Sequence, residues 1–409
     1  MSTLRLLDAA GAVTDAELRE GGGYTRPSAP LQSRVAYAAA HVVPKVHADN
    51  TPGRPADIDW DSTLAFRRNV YSWGLGVADA MDTAQRNMGL DAAATRELIA
   101  RSAEVAREEG GSVVVGVNTD HIAESHISLE QVIDAYTAQL HFTEEQGAGP
   151  VLMASRHLAR VAENADDYRR VYREVLSSAT VPVVLHWLGP AFDPELAGYF
   201  TSSSSSPGGA PDDWRAASAV LLDIIDENPD KVAGVKMSLL NAESEISVRE
   251  RLHSQESTQG VRMFTGDDFN YVGLIGGDTV GQGEGHSDAL LGAFAAITPV
   301  ASAAIQALDA GDPARYLEIL GPTEELSRQV FATPTFYYKT GVAFLAWLNG
   351  HQPAFQMVGG LHSARSLPHL SRIVELANDS LALENPDLAR ERWHGMLRLN
   401  GIDAGSVAR

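Results

Sequence analysis

A lysine inside an apolar segment is the residue of this chain best suited to covalent chemistry. Lys236 lies in Val-Ala-Gly-Val-Lys-Met-Ser (232–238), where an ammonium without a partner would be costly to bury. Desolvation lowers a lysine pKa, and the neutral amine is the form that attacks a carbonyl. The protonated imine that results is an electron sink for a carbanion beside it. Cleavage of a C–C bond, its formation and β-elimination of water all share that intermediate. The same lysine could instead be held in an ion pair by a carboxylate of a neighbouring strand, such as Asp267.

Such a lysine needs elements that bury it and aim it at a substrate. Short apolar runs at 34–43, 76–81, 112–117, 150–155, 181–187, 232–237 and 261–266, with a weaker one at 278–283, read as strands. Between them, segments such as 93–108, 129–146, 166–178 and 214–228 carry apolar residues at three- and four-residue spacing, and Asp91, Ser128 and Asp213 precede helical runs as capping residues. This alternation is the signature of βαβ units, and eight parallel strands close a barrel. The expected fold is therefore α/β: an N-terminal arm over 1–32, a (β/α)8 TIM barrel over 33–310 and a helical C-terminal extension over 311–409. The extension shows helical stretches at 313–330, 335–349, 363–383 and 386–399. The Ser/Gly/Pro-rich stretch 201–213 reads as a mobile loop, either a lid over the C-terminal face or a tolerated surface insertion.

Catalytic residues in such barrels project from the C-terminal ends of the strands. Those positions hold Lys236, His186, Asp82, Thr83, Asn118 and Asp267, and Gly-Gln-Gly-Glu-Gly-His-Ser-Asp (281–288) places His286 and Asp288 after the weak eighth run. Asp267 or Asp268 could serve equally as a helix cap. A rival use for His41, Asp120, His121, His157, His186, Asp267, His286 and Asp288 is the mixed His/carboxylate sphere of a divalent ion, although no compact signature such as His-Glu-x-x-His is present. Two further readings are a barrel that binds a small metabolite without catalysis and a glycosidase using paired carboxylates. For the latter the strand ends offer Asp but few Glu.

The order of motifs 57–66, 82–91, Val-Val-Leu-His-Trp-Leu-Gly-Pro (183–190), 228–238, Met-Phe-Thr-Gly-Asp-Asp-Phe (263–269) and 296–312 resembles the dihydrodipicolinate synthase and N-acetylneuraminate lyase family of class I aldolases, over roughly residues 33–400. The resemblance implies that Lys236, after Gly234 and Val235, is the Schiff-base lysine. It places Asp82-Thr83-Ala84-Gln85-Arg86 where the family carries a Gly-Thr-Thr-Gly-Glu loop that binds a substrate carboxylate, so Thr83 and Arg86 are the implied anion contacts. It sets His186-Trp187 where the family has Tyr-Asn, which implies a proton shuttle titrating near neutrality in place of a phenol. Gly266-Asp267-Asp268 matches a Gly-x-Asp turn at the barrel mouth, whereas His286 and Asp288 fall outside the family pattern. The implied activity is a lyase or aldolase, or a dehydratase, acting on a small 2-oxo acid or sugar-derived oxo compound. No cofactor is expected, because the lysine supplies the electrophile, and a homo-oligomer, dimer or tetramer, is the expected assembly.

Composition bounds the partners. The formal net charge of −21 repels phosphate backbones and anionic membrane surfaces, so neither nucleic acid nor membrane is expected. A local cation can still hold an anionic substrate within a Debye length of roughly 8–10 Å. With no cysteine in the chain, disulfides, zinc–thiolate sites and a thiol nucleophile are excluded. The first residues lack the apolar core of a signal peptide, and no apolar run reaches the ~18–20 residues of a membrane span. A cytoplasmic location is the corresponding expectation.

Overall fold

The computed structural model describes residues 3–81, 86, 88–201 and 214–402. A short hairpin, β1 (Thr3–Leu7) with antiparallel β2 (Val13–Glu17), precedes eight parallel strands: β3 (Ala36–Ala39), β4 (Gly76–Asp79), β5 (Val113–Val117), β6 (Gly149–Met153), β7 (Val183–Leu188), β8 (Val232–Ser238), β9 (Arg262–Thr265) and β10 (Asp288–Leu291). These close in chain order, with β10 pairing both β9 and β3. The α/β barrel expected from the sequence is the fold.

Alternation along each strand produces two cores. Ala39, Ala78, Val114, Val151, Val184, Phe264 and Leu290 fill the barrel interior. Their neighbours Val77, Val115, Leu152, Leu185, Val235, Met263 and Leu291 face the helical layer. The helices begin where side chains satisfy their first N–H groups. Asp91 accepts from Ala94 N ahead of Ala92–Glu109, Ser128 and Gln131 form a reciprocal capping box ahead of Leu129–Glu145, and Asn164 accepts from Asp166 N and Asp167 N ahead of Ala165–Ser178. Asp213 lies outside the described residues, as does all of the 201–213 stretch except Thr201.

The eighth strand is displaced from its expected place. Residues 277–280 form a 3-10 turn, and Gly281 and Gly283 follow at φ 78, a left-handed geometry that no strand uses. The strand is instead Asp-Ala-Leu-Leu (288–291), four buried residues that run directly into the apolar helix Ala293–Ala296. An apolar run this continuous has no period by which strand and helix separate.

After the barrel come the helices Thr298–Asp309, Pro313–Leu320, Thr323–Val330, Lys339–Leu348, Leu367–Asp379 and Pro386–Leu399. The N-terminal hairpin packs on the last two of these. Leu7 N donates to Ser371 Oγ at 2.7 Å, and Trp393 Nε1 donates to the Arg5 carbonyl at 2.6 Å. Among the described residues no helix is long and apolar enough to cross a membrane.

Candidate active site at the barrel mouth

The strands that carry Lys236 and His186 are adjacent, and the two residues are register partners across β7 and β8. Val235 and Met237 belong to the outer core, so the pleat turns Gly234, Lys236 and Ser238 toward the barrel interior. The same alternation turns His186 inward and sends Trp187 outward against the Phe200 ring, 5.5 Å between centroids. Lys236 is 5% exposed and His186 1%. Gly266, just past β9, makes room for the lysine: a Cβ there would lie 2.7 Å from Lys236 Cε and 2.1 Å from Ser238 Oγ.

His186 Nε2 lies 3.0 Å from Ser238 Oγ, while its Nδ1 is buried with no hydrogen-bond partner. Burial, reinforced by the charges of Lys236 and Arg86, holds its pKa well below the ordinary imidazole value. The near-neutral titration expected of His186 therefore does not hold. It is a neutral imidazole at physiological pH, able to donate and accept hydrogen bonds but poorly suited to carry a proton between bulk pH and substrate.

On the other flank, β9 ends in Gly266-Asp267-Asp268. Asp267 is a turn cap: Oδ1 accepts from Phe269 N and Asn270 N, and Oδ2 from Asn270 Nδ2 at 2.8 Å. Asp267 thus makes the cap that the sequence offered as the alternative to a substrate contact. Asp268, 3% exposed, accepts the Ala293 N–H at 2.8 Å. Its pKa is pushed up to about 7 by burial, against the opposing pull of that N–H and of the Lys236 and Lys339 charges. Lys339 belongs to the helical extension, is buried, and donates to the Ala39 carbonyl at the end of β3. Nearby, His41 is held by Gln352, Nε2 to Oε1 2.6 Å, and burial pushes its pKa down to about 3.

The expected anion contacts fare unevenly. Asp82 and Thr83 lie outside the described residues. Arg86 reaches the mouth, but its guanidinium is bound by Asp193, lies 3.4 Å from Asp120 and donates to the Ala154 carbonyl at 2.6 Å. Arg156 donates to the same Asp193 carboxylate at 2.7 Å. Arg86 and Arg156 therefore share the Asp193 carboxylate at this rim, and Arg156 is the more exposed of the two. Asn118 is fully buried at the end of β5, where its Oδ1 accepts Asp120 N at 3.0 Å and shapes the loop.

His286 is not at the mouth. With the strand beginning at Asp288, both His286 and Asp288 fall at the N-terminal face, where Asp288 accepts from Val35 N and Arg262 at 2.7 Å each. Their assignment to the substrate side followed from the misplaced eighth strand. The same displacement takes His286 and Asp288 away from the other residues of the rival metal sphere, and among the described residues no three His, Asp or Glu converge as a ligand set. Thr119 Oγ1 bridges Ser155 Oγ at 2.7 Å and His157 Nδ1 at 2.8 Å, which ties His157 into a hydroxyl network.

Two residues at the barrel mouth, Lys339 and Asp193, are not singled out by the sequence. Lys339 carried a legible signal, a single cation in the apolar stretch 336–348, but no strand end pointed to it. Asp193 precedes Pro194 and caps a 3-10 turn, accepting from Glu195 N at 3.2 Å, a signal that marks a turn and not a site. The chain holds four lysines in all, Lys45, Lys231, Lys236 and Lys339. The last two are the buried ones.

Strand order and register define a closed (β/α)8 barrel. Solved structures of dihydrodipicolinate synthase from Aquifex aeolicus (14% identity, TM-score 0.60, covering 86% of this chain and 100% of that one), from Thermotoga maritima (12%, 0.59, 86% and 99%) and from Rhodopseudomonas palustris (14%, 0.58, 85% and 99%) share it. The chain belongs to the family described as protein of unknown function, DUF993, whose match spans residues 4–402. No curated protein matches the sequence.

Proposed function

We propose that this protein is a Schiff-base-forming lyase or aldolase, with dehydration as a variant, acting on a small 2-oxo acid or sugar-derived oxo compound. The observation that carries the reading is the setting of Lys236. It is a lysine buried on the interior face of β8 at the barrel mouth, with a glycine opposite its Cε and a neutral histidine as its register partner. Desolvation favours the neutral, nucleophilic form of an amine. The dihydrodipicolinate synthase structures supply the shared scaffold, and the chemistry rests on this chain's own residues.

In this reading Lys236 adds to the substrate carbonyl and water leaves to give the imine. His186, neutral and anchored on Ser238, positions the adduct through hydrogen bonds. Arg156 at the rim takes an anionic substituent, with Arg86 holding Asp193 beneath it. Assembly as a dimer or tetramer belongs to the same proposal and is read by light scattering. The direct test incubates the protein with a panel of 2-oxo acids and keto-sugars, reduces with borohydride and weighs the intact chain. A covalent adduct with at least one compound is expected. No adduct with any of them, alongside activity that follows an added divalent ion, would overturn it.

A further inference from the structure

The Schiff-base cycle needs a group that gives up a proton when water leaves the carbinolamine and takes one from the carbon beside the imine. A neutral histidine with a depressed pKa does neither well near pH 7. Asp267 is no better placed, since both its oxygens accept hydrogen bonds within its own turn. Resting on the reading of Lys236 as the imine-forming residue, we propose that Asp268 is the catalytic acid and base of this site. Lys339, brought to the barrel mouth by the helical extension, is the positioning residue that sets its proton affinity.

Geometry supports the assignment step by step. Gly266 N donates to the Met237 carbonyl at 2.7 Å, so the chain leaving β9 still runs beside β8 at the level of Lys236, and Gly266 presses against the lysine's Cε. Asp268 follows two residues later and is pinned from two sides: its Oδ1 accepts Ala293 N at 2.8 Å and its carbonyl accepts Ser327 Oγ at 2.5 Å. Along the rim the order is then His186 on β7, Lys236 on β8, Asp268 after β9, Ala293 after β10, and Lys339 bonded to Ala39 at the end of β3. A carboxyl is thereby set between two buried lysines, half of the chain's four.

Among the described residues, the charged and titratable groups facing Asp268 are Lys236, Lys339, Asp267 and the protonated phenol of Tyr271. Burial raises the Asp268 pKa and the two cations lower it, which leaves it near 7, where acid and base forms coexist. The cycle balances. Lys236 gives its ammonium proton to the Asp268 carboxylate and adds to the carbonyl carbon as the neutral amine. A proton passes from nitrogen to the former carbonyl oxygen, and Asp268, now in its acid form, protonates the carbinolamine hydroxyl so that water departs as the nitrogen lone pair forms the iminium. The resulting Asp268 carboxylate then takes a proton from the adjacent carbon, and the C–H electron pair moves into the enamine.

Pyruvate is the probe, or whichever 2-oxo acid of the panel forms the adduct. Its exchange of α-carbon hydrogen for deuterium in D2O is followed by proton NMR from pH 5 to 9, in parallel with borohydride trapping on the same samples. Asp268→Asn retains an oxygen for the Ala293 N–H. We expect it to slow exchange by ~10²–10⁴-fold and to abolish the pH limb near 7, while the adduct still accumulates on long incubation. Lys339→Met removes a cation that favours the carboxylate, so the limb moves to higher pH, and Lys339→Arg returns it. Unchanged exchange and pH profile in Asp268→Asn, with the adduct intact, would overturn this role and leave the Lys236 reading standing. A folded Asp268→Asn that loses adduct and exchange together would make Asp268 a support for Lys236 and overturn it too. No adduct in the unaltered protein would remove both.

Discussion

A carboxyl and an imidazole buried in the same barrel mouth respond to low dielectric in opposite senses. Burial disfavours each charged form, so Asp268 is pushed up to about 7 and His186 well below its ordinary value. Of the two, the aspartate is the one whose shift runs toward neutrality. The same physics governs Glu245, buried behind β9, where Ser287 Oγ donates to its Oε1 and its Oε2 has no hydrogen-bond partner. Burial pushes its pKa from 4.5 up to about 8. The unfolded chain releases that proton at lower pH than the folded one, so stability is lost as pH rises from about 4.5 toward 8, by roughly a few kcal/mol in total. Glu245→Gln should lose that slope, with its melting temperature overtaking that of the unaltered protein as pH rises to 8. Parallel melting curves at pH 5 and pH 8 decide it. Lys236 was legible in the sequence because a lone cation in an apolar run is costly. The sense of the His186 shift was not, since it depends first on how deeply the closed barrel buries the ring and then on Lys236 and Arg86, distant in sequence.

Elements carry the site's precision. Seven barrel strands were legible as short apolar runs, and the capped helices between them as three- and four-residue periodicity. The eighth was not, because Asp288–Leu291 is too short and too continuously apolar to show a period, and that one displacement moved His286 to the wrong end of the barrel. The turn after β9 is equally exacting. A Cβ at Gly266 would meet Ser238 Oγ at 2.1 Å, Lys236 Cε at 2.7 Å and the Met237 carbonyl at 2.8 Å, the last a backbone atom that cannot step aside. Gly266→Ala should cost about 1–3 kcal/mol of stability and displace Lys236, so that borohydride trapping falls more steeply than the folded fraction. Trapping that simply tracks the folded fraction would mean the glycine serves packing alone.

Across the whole molecule, the two ends of the described chain hold each other. The hairpin of β1 and β2 is fastened to the last two helices, and Trp393, fully buried, donates to the Arg5 carbonyl and meets the Phe344 ring edge-on at 6.0 Å. The sequence reads the 1–32 stretch only as an arm, since the partners of the hairpin lie more than 350 residues away. Trp393→Ala should cost ~3–5 kcal/mol, and Trp393→Phe only about 1 kcal/mol for the lost hydrogen bond, differences that thermal unfolding resolves. The scarcity of lysine is also a property of the whole chain, and it makes the central claim unusually easy to test. The protein is incubated with the trapping 2-oxo acid, reduced with borohydride, digested, and the adduct located among Lys45, Lys231, Lys236 and Lys339 by mass spectrometry. The adduct is expected on Lys236 alone and should vanish in Lys236→Arg. An adduct on any of the other three, or one that persists in Lys236→Arg, would contradict the account.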